Sequence, residues 1–205
     1  MTPELPIVHL VDDDASFLSA MARFLRASGF SVERYVSATD FLTRRHDGVP
    51  GCVLVDLQMP GLNGLDLQAA MASSPDPLPI VFLTAHGDIP TSVRAIKQGA
   101  DDFLTKRAPK EKLLAAVHRA LERDAREREG RARLRELRSR LDMLTTREHE
   151  VLARVVQGKL NKEIAAELGI HERTVKLHRT AITTKLQVQS VAQLTRLAQA
   201  AGILP

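Results

Sequence analysis

Ile7-Val-His-Leu-Val-Asp-Asp-Asp14 starts as a short apolar run and ends in three adjacent carboxylates. A run of this length with a polar boundary reads as a buried strand, Ile7–Val11. Outward from it the same unit recurs, with strand candidates at Val32–Tyr35, Cys52–Val55, Ile80–Leu83 and Phe103–Leu104. The intervening stretches carry apolar residues at helical spacing: Phe17, Ala20, Met21, Phe24 and Leu25, then Phe41–Leu42, Leu65 and Ala69, Val93 and Ile96, and Leu113, Leu114, Val117 and Leu121. Gly29, Gly61 and Gly99 punctuate the ends. Strands that alternate with helices must be parallel, because parallel neighbours need crossover connections. The predicted fold is α/β, a doubly wound five-stranded parallel sheet over residues 1–121.

Ligand sites in such folds lie beyond the carboxyl ends of the strands. Asp12-Asp13-Asp14 follows the first strand, Asp56 the third, Thr84 the fourth and Lys106 the fifth. With the first and third strands as neighbours, Asp12, Asp13 and Asp56 converge. Clustered carboxylates repel, and a hard divalent cation with oxygen ligands, Mg²⁺, relieves that repulsion and leaves room for a phosphate. Asp56 is then a nucleophile forming an acyl phosphate, with Thr84 and Lys106 holding the transferring oxygens. Taken singly, each residue has a plain structural meaning. An aspartate after a strand is commonly a turn former or helix cap, and Asp14 is read that way. The combination carries the signal.

These stretches closely resemble receiver domains of the FixJ-like response regulators. The matching segments are Val-Asp-Asp-Asp at 11–14, Val-Asp-Leu-Gln-Met-Pro-Gly at 55–61, Leu-Thr-Ala-His-Gly-Asp-Ile-Pro at 83–90 and Gly-Ala-Asp-Asp-Phe-Leu-Thr-Lys at 99–106. The resemblance implies a flavodoxin-like receiver with Asp56 as phosphoacceptor and Asp13, Asp56 and the Gln58 backbone carbonyl around Mg²⁺, with Asp12 beside them. It implies Thr84 and Phe103 as a switch pair, and a dimer surface on the fourth and fifth helices after phosphorylation. His86 matches a shared position and is read as a surface loop histidine. One departure stands out. Receivers usually follow this lysine with a cis proline, whereas here Arg107 follows Lys106 and proline is displaced to Pro109. A cis bond before arginine costs roughly 3–4 kcal/mol, so the expectation is a trans loop with a looser Lys106 or a strained cis bond, and altered phosphorylation or switching.

Residues 122–142 mix both charge signs at helical spacing, with Glu122/Arg126 and Asp124/Arg128 as supporting pairs of a solvated linker helix spanning roughly 30 Å. Gly130 is a candidate interruption. Leu134, Leu137, Leu141 and Leu144 follow 3-4-3 spacing, too short for a coiled coil, and are expected to pack on the following domain.

In residues 143–205, Thr145-Thr-Arg-Glu148 has capping-box spacing and starts a helix that Gly158 ends. Asn161 is read as the cap of a short helix that Gly169 terminates, and Glu172 to Leu186 form the next. Two short helices with a glycine turn make a helix-turn-helix, so this part is a small all-α domain. On the helix from Glu172, Val175, Ile182 and Leu186 share a buried side with His178 at its margin. Arg173, Lys176, Leu177, Thr180 and Thr184 share the outward side, which suits a major groove. Ser190-Val-Ala-Gln193 opens a last helix.

Leu-Thr-Thr-Arg-Glu-His-Glu-Val-Leu at 144–152, Asn-Lys-Glu-Ile-Ala at 161–165 and Arg-Thr-Val-Lys-Leu-His-Arg at 173–179 resemble LuxR-type domains of the NarL/FixJ class. The resemblance implies that Lys176, Leu177 and Thr180 approach bases, that Thr174, Arg179 and Lys185 meet phosphates, and that the last helix is a dimer contact on DNA. His171 replaces the usual serine cap.

Composition agrees. The net charge of +4 is uneven: residues 1–121 hold 12 Lys+Arg against 14 Asp+Glu, and the remainder 17 against 11. A basic C-terminal part suggests a polyanionic partner. One Tyr and no Trp leave little for single-strand stacking platforms. The single cysteine, Cys52, fits a reducing compartment, and no leader or membrane-length apolar segment is read, so the protein is expected in the cytoplasm. The whole reads as a phosphorylation-controlled transcriptional regulator and not an enzyme. Its expected partners are a sensor histidine kinase, double-stranded operator DNA, RNA polymerase and, when phosphorylated, a second copy of the chain. The competing readings are a phosphate-independent regulator with a degenerate receiver, and a phosphatase using Asp56; a phosphatase of that type carries a second aspartate where Gln58 stands.

Overall fold

The computed structural model describes residues 5–85, 89–188 and 190–200. His86 lies outside the described residues. Two compact units divide between Glu127 and Arg128.

The first unit alternates β1 (Ile7–Val11), α1 (Ala15–Ala27), β2 (Ser31–Tyr35), α2 (Ala38–Arg44), β3 (Gly51–Asp56), α3 (Gly64–Ala72), β4 (Ile80–Thr84), α4 (Ile89–Lys97), β5 (Asp102–Thr105) and the start of α5 (Lys110–Asp142). All strand pairs are parallel, in the order β2-β1-β3-β4-β5. The expected strands are present, each extended by at most two residues. β3 is buried along its whole length, which is why Cys52-Val-Leu-Val55 reads as an unbroken apolar run. Period-2 alternation splits the side chains into two cores. Val11, Val53, Val55 and Phe82 face one core with Phe41, Leu67 and Met71. Val8, Leu10, Leu54 and Leu83 face the other with Leu18, Leu25, Leu113 and Val117.

Strand β1 is less apolar inside than its sequence suggests, because His9 is buried. Its Nδ1 lies 3.2 Å from the Tyr35 hydroxyl, which donates onward to Glu33. Burial holds the imidazole down to about 4; the nearby Glu33 charge opposes this and Arg45 reinforces it. The folded unit therefore keeps His9 neutral where the unfolded chain takes up a proton near 6.5. Acidification below pH 6.5 favours the unfolded chain until about pH 4. At pH 5 the expected loss is about 2 kcal/mol relative to pH 7. Urea unfolding at the two pH values should show it, and the loss should shrink in His9→Gln; an equal loss in both proteins would remove His9 as its source.

Helix α5 runs through Gly130 without a break. Its residues up to Glu127 pack with the first unit. Asp124, expected on a solvated face, is instead buried, and its Oδ2 accepts the Gly51 N–H at 2.9 Å. The Gly51 N–H at the start of β3 needs an acceptor there, and that demand outweighs the solvation expected from local charge pattern. Arg126 does approach Glu122, at 3.9 Å.

The second unit holds the rest of α5 with α6 (Thr146–Val156), α7 (Asn161–Leu168), α8 (Glu172–Lys185) and α9 (Val191–Ala200). Leu141 and Leu144 are buried in its core and Leu137 packs on it, as the heptad spacing predicts. The Thr145/Glu148 capping box is complete. Asn161 is the first residue of α7 rather than its cap. Leu160 takes the cap position, its N–H donates to Glu163, and the Asn161 amide oxygen accepts from Arg179 instead. Gly169, at φ +63°, closes α7 in the left-handed conformation that a side chain would resist.

Candidate functional site

The sheet order brings the ends of β1, β3, β4 and β5 side by side. Asp12 and Asp13 follow β1, while Asp56 ends β3 and Thr84 ends β4. Lys106 follows β5, and its backbone N–H donates to the Thr84 carbonyl at 2.8 Å, continuing the β4–β5 pairing. From there its Nζ lies 2.6 Å from Asp12 Oδ2 and 2.8 Å from Asp56 Oδ2. The stem passes over Phe17, with Nζ 4.5 Å from the ring centroid. Asp12, Thr84 and Asp56 are buried; Asp13 is exposed.

Burial raises the Asp12 carboxyl above its ordinary range, and Asp56 adds to this, while the Lys106 ammonium and the Asp14 N–H pull it back. For Lys106, burial disfavours the charge, but Asp12 and Asp56 together carry its pKa above the usual lysine value. Three carboxylates thus each offer an oxygen within 4.8 Å of the others, and the Lys106 ammonium stands on two of them. Asp12 Oδ2 is buried, with the Lys106 ammonium 2.6 Å away. An all-oxygen donor set with excess negative charge fits a hard divalent cation.

No described peptide bond is cis, so Lys106–Arg107 is trans. Lys106 nevertheless reaches both carboxylates. The displaced Pro109 stands just before α5, where its carbonyl accepts the Lys112 and Leu113 N–H groups at 3.0 and 3.2 Å. Proline thus serves the helix start, where its missing N–H costs nothing.

Around this pocket the other expected residues are close but differently placed. The Gln58 N–H donates to Asp56 Oδ1 at 3.3 Å, and its side chain is exposed. Phe103 is half-buried on β5 and stacks on Phe82 with centroids 5.8 Å apart. Asp14 caps α1, accepting from Ser16 and Phe17. Two residues escaped the sequence reading. Helical spacing marks Phe17 only as core-facing. Gly64, at the start of α3, is the other: a Cβ there would stand 2.5 Å from the Asp56 carbonyl oxygen.

In the second unit α8 divides as its periodicity predicts. Val175, Ile182 and Leu186 are buried; Arg173, Lys176, Leu177, Thr180 and Thr184 are exposed, Leu177 by 65%. Thr174 is half-buried. Arg179 is held by Asn161 Oδ1 at 2.9 Å, and Lys185 by Glu148 Oε2 at 2.7 Å and the Met143 carbonyl at 3.2 Å. His171 precedes α8 with no side-chain cap.

Family models match both units: the response regulator receiver domain at residues 8–118, and the luxR family of bacterial regulatory proteins at 142–198. The chain is a response regulator. It carries a receiver followed by a LuxR-type DNA-binding domain, and its relatives are transcriptional regulators. It is 39% identical over 199 residues to the response regulator protein TodT of Pseudomonas putida, covering 97% of this chain and 88% of that one. Identity to the transcriptional regulatory protein FixJ of Azorhizobium caulinodans is 37% over 206 residues, covering 99% and 96%. Among solved structures, the response regulator StyR superposes with a TM-score of 0.85 at 43% identity, covering 95% of this chain and 98% of that chain. Among the described residues no helix is long and apolar enough to cross a membrane.

Proposed function

We propose that Asp56 accepts a phosphoryl group from a phosphohistidine of a sensor kinase, and that this promotes dimerisation and operator binding. The observation that carries the reading is the Lys106 ammonium bridging Asp12 and Asp56 from the end of a distant strand. An Asp56 carboxylate oxygen attacks phosphorus, the phosphorus–nitrogen bond breaks, and the imidazole leaves with that electron pair. Lys106 holds a transferring oxygen, and the Thr84 hydroxyl is the second donor to the new phosphoryl group. Asp12, Asp13, Asp56 and the Gln58 carbonyl would hold Mg²⁺. When bound, the ion neutralises the carboxylates and the incoming charge. The donor protein approaches beside Lys106, where a groove of about 550 Å³ is lined by Phe17, Met21, Phe24, Leu113 and Lys110.

Thr84 and Phe103 act as the switch pair, Phe103 being only half-buried and so free to gain cover. Ile89, Val93 and Ile96 leave an exposed apolar stripe on α4, spaced for one helical face. This stripe supports a homodimer contact of the phosphorylated form. The domain boundaries in this reading are 1–121, 122–142 and 143–205, and the location is cytoplasmic. A domain of this kind acts on promoters, with RNA polymerase as a further partner. A role as phosphatase is disfavoured by Gln58, which supplies no general acid two positions after Asp56.

Lys176, Leu177 and Thr180 read base edges from the exposed face of α8, and Thr174 and Arg179 meet phosphates. Lys176→Ala is expected to weaken binding to a selected operator by about 1–3 kcal/mol. Unchanged operator affinity would take Lys176 out of the interface. The whole reading is tested by operator affinity with and without beryllofluoride: it expects tighter binding with the phosphoryl mimic, and equal binding would favour the phosphate-independent alternative.

A further inference from the structure

The residues that open α6 grip the end of α8 and, ahead of its start, the end of α7. Ahead of α8, Arg147 donates to the Leu168 carbonyl at 2.5 Å, fixing the last turn of α7 before the Gly169 turn. At the end of α8, Lys185 Nζ donates to Glu148 Oε2 and to the Met143 carbonyl, between α5 and α6. Arg140, near the end of α5, reaches the Leu186 carbonyl at 3.5 Å. Beneath these contacts Leu141, Leu144 and Leu186 share one core.

Glu148 is the buried partner, with 6% of its side chain exposed against 35% for Lys185. Its Oε2 also accepts the Thr145 N–H at 2.7 Å. Lys185 holds its carboxyl below the ordinary glutamate range. A buried carboxylate stripped of its cation is costly. A DNA phosphate would have to draw Lys185 from this carboxylate and from a carbonyl, whereas Lys176 is exposed.

We propose that Lys185 is a positioning residue of the recognition helix: clamped by Glu148 and Met143, it sets how α8 is presented to DNA and does not neutralise a phosphate. This rests on the DNA-binding reading above and revises one residue within it. Placement of base-reading side chains tolerates errors of only about 0.5 Å, so a released last turn costs specific binding more than non-specific binding.

The test uses the full-length protein with beryllofluoride, a duplex recovered by selection from a random-sequence pool, and a random duplex, each across a salt series. Lys185→Met and Glu148→Gln should each weaken selected binding by about tenfold, the scale of a lost charge-assisted hydrogen bond. They should leave the random duplex and the salt slope nearly unchanged. The double variant should be no worse than either single one, and Lys185→Arg should restore binding. The sign for Glu148→Gln discriminates most sharply: a phosphate-contacting lysine would be freed by it and bind DNA more tightly. Tighter binding there, or a slope shallower by about one for Lys185→Met, overturns the proposal. Equal losses on both duplexes with a lowered thermal midpoint also overturn it, since they mark plain destabilisation. If the wild-type protein selects no duplex, the DNA-binding reading falls and the inference falls with it, a result distinct from all the others.

Discussion

Asp56→Asn should take up no phosphoryl group from a phosphodonor, and operator affinity should become indifferent to donor or to beryllofluoride. The amide oxygen of asparagine is not a nucleophile, and the other acids of the pocket do not replace Asp56. Asp12 Oδ2 is buried against Lys106, and Asp13 belongs to the exposed side of the cluster. Folding should not suffer. Asparagine matches aspartate in shape, and removing one of three clustered charges relieves repulsion among the acids. The variant therefore separates chemistry from stability. Radiolabel incorporation, thermal midpoint and operator affinity measure the three quantities. Label on the variant, or a donor-dependent rise in its affinity, would place the phosphoacceptor elsewhere.

Gly64→Ala should destabilise the first unit, although helix propensity alone predicts the opposite by about 1 kcal/mol. The added Cβ would meet the Asp56 carbonyl oxygen at 2.5 Å, Phe82 Cε1 at 2.9 Å and Leu57 Cα at 3.1 Å. Two of the three are backbone atoms, so the strain cannot be relieved by turning a side chain. Either α3 retreats, loosening the Gly64 N–H to Leu57 carbonyl bond of 3.0 Å, or the end of β3 moves and carries Asp56 with it. Overpacking of this kind costs about 1–3 kcal/mol. Urea unfolding should register that loss, and the rate of phosphoryl uptake should fall as well. An unchanged midpoint with an unchanged rate would mean that α3 yields freely.

Much of this was legible in the residues because the signals are local. Strand length, helical spacing and polar residues just past apolar runs gave the parallel sheet and the acids, hydroxyl and lysine at its carboxyl ends. The division of α8 into inner and outer faces followed from its period alone. Gly64 was not legible, since a glycine at a helix start looks like any loop residue until the neighbouring backbone is known. His9 lies inside an apolar run, and nothing nearby in the chain announces Tyr35 and Glu33.

The linker shows where local reasoning stops. Asp124 stands in charged, helical surroundings that predict a solvated side chain, and the family resemblance assigns Lys185, at the end of α8, to a phosphate. Asp124 is buried because the Gly51 N–H, 73 positions away in the chain, needs an acceptor, and Lys185 is drawn to a glutamate 37 positions away. Pattern and period determined which elements form and what chemistry their ends carry. Tertiary structure alone decided which charges leave water, because the free energy of burying a charge depends on the partner waiting for it, and that partner is set by the fold and not by the neighbouring residues.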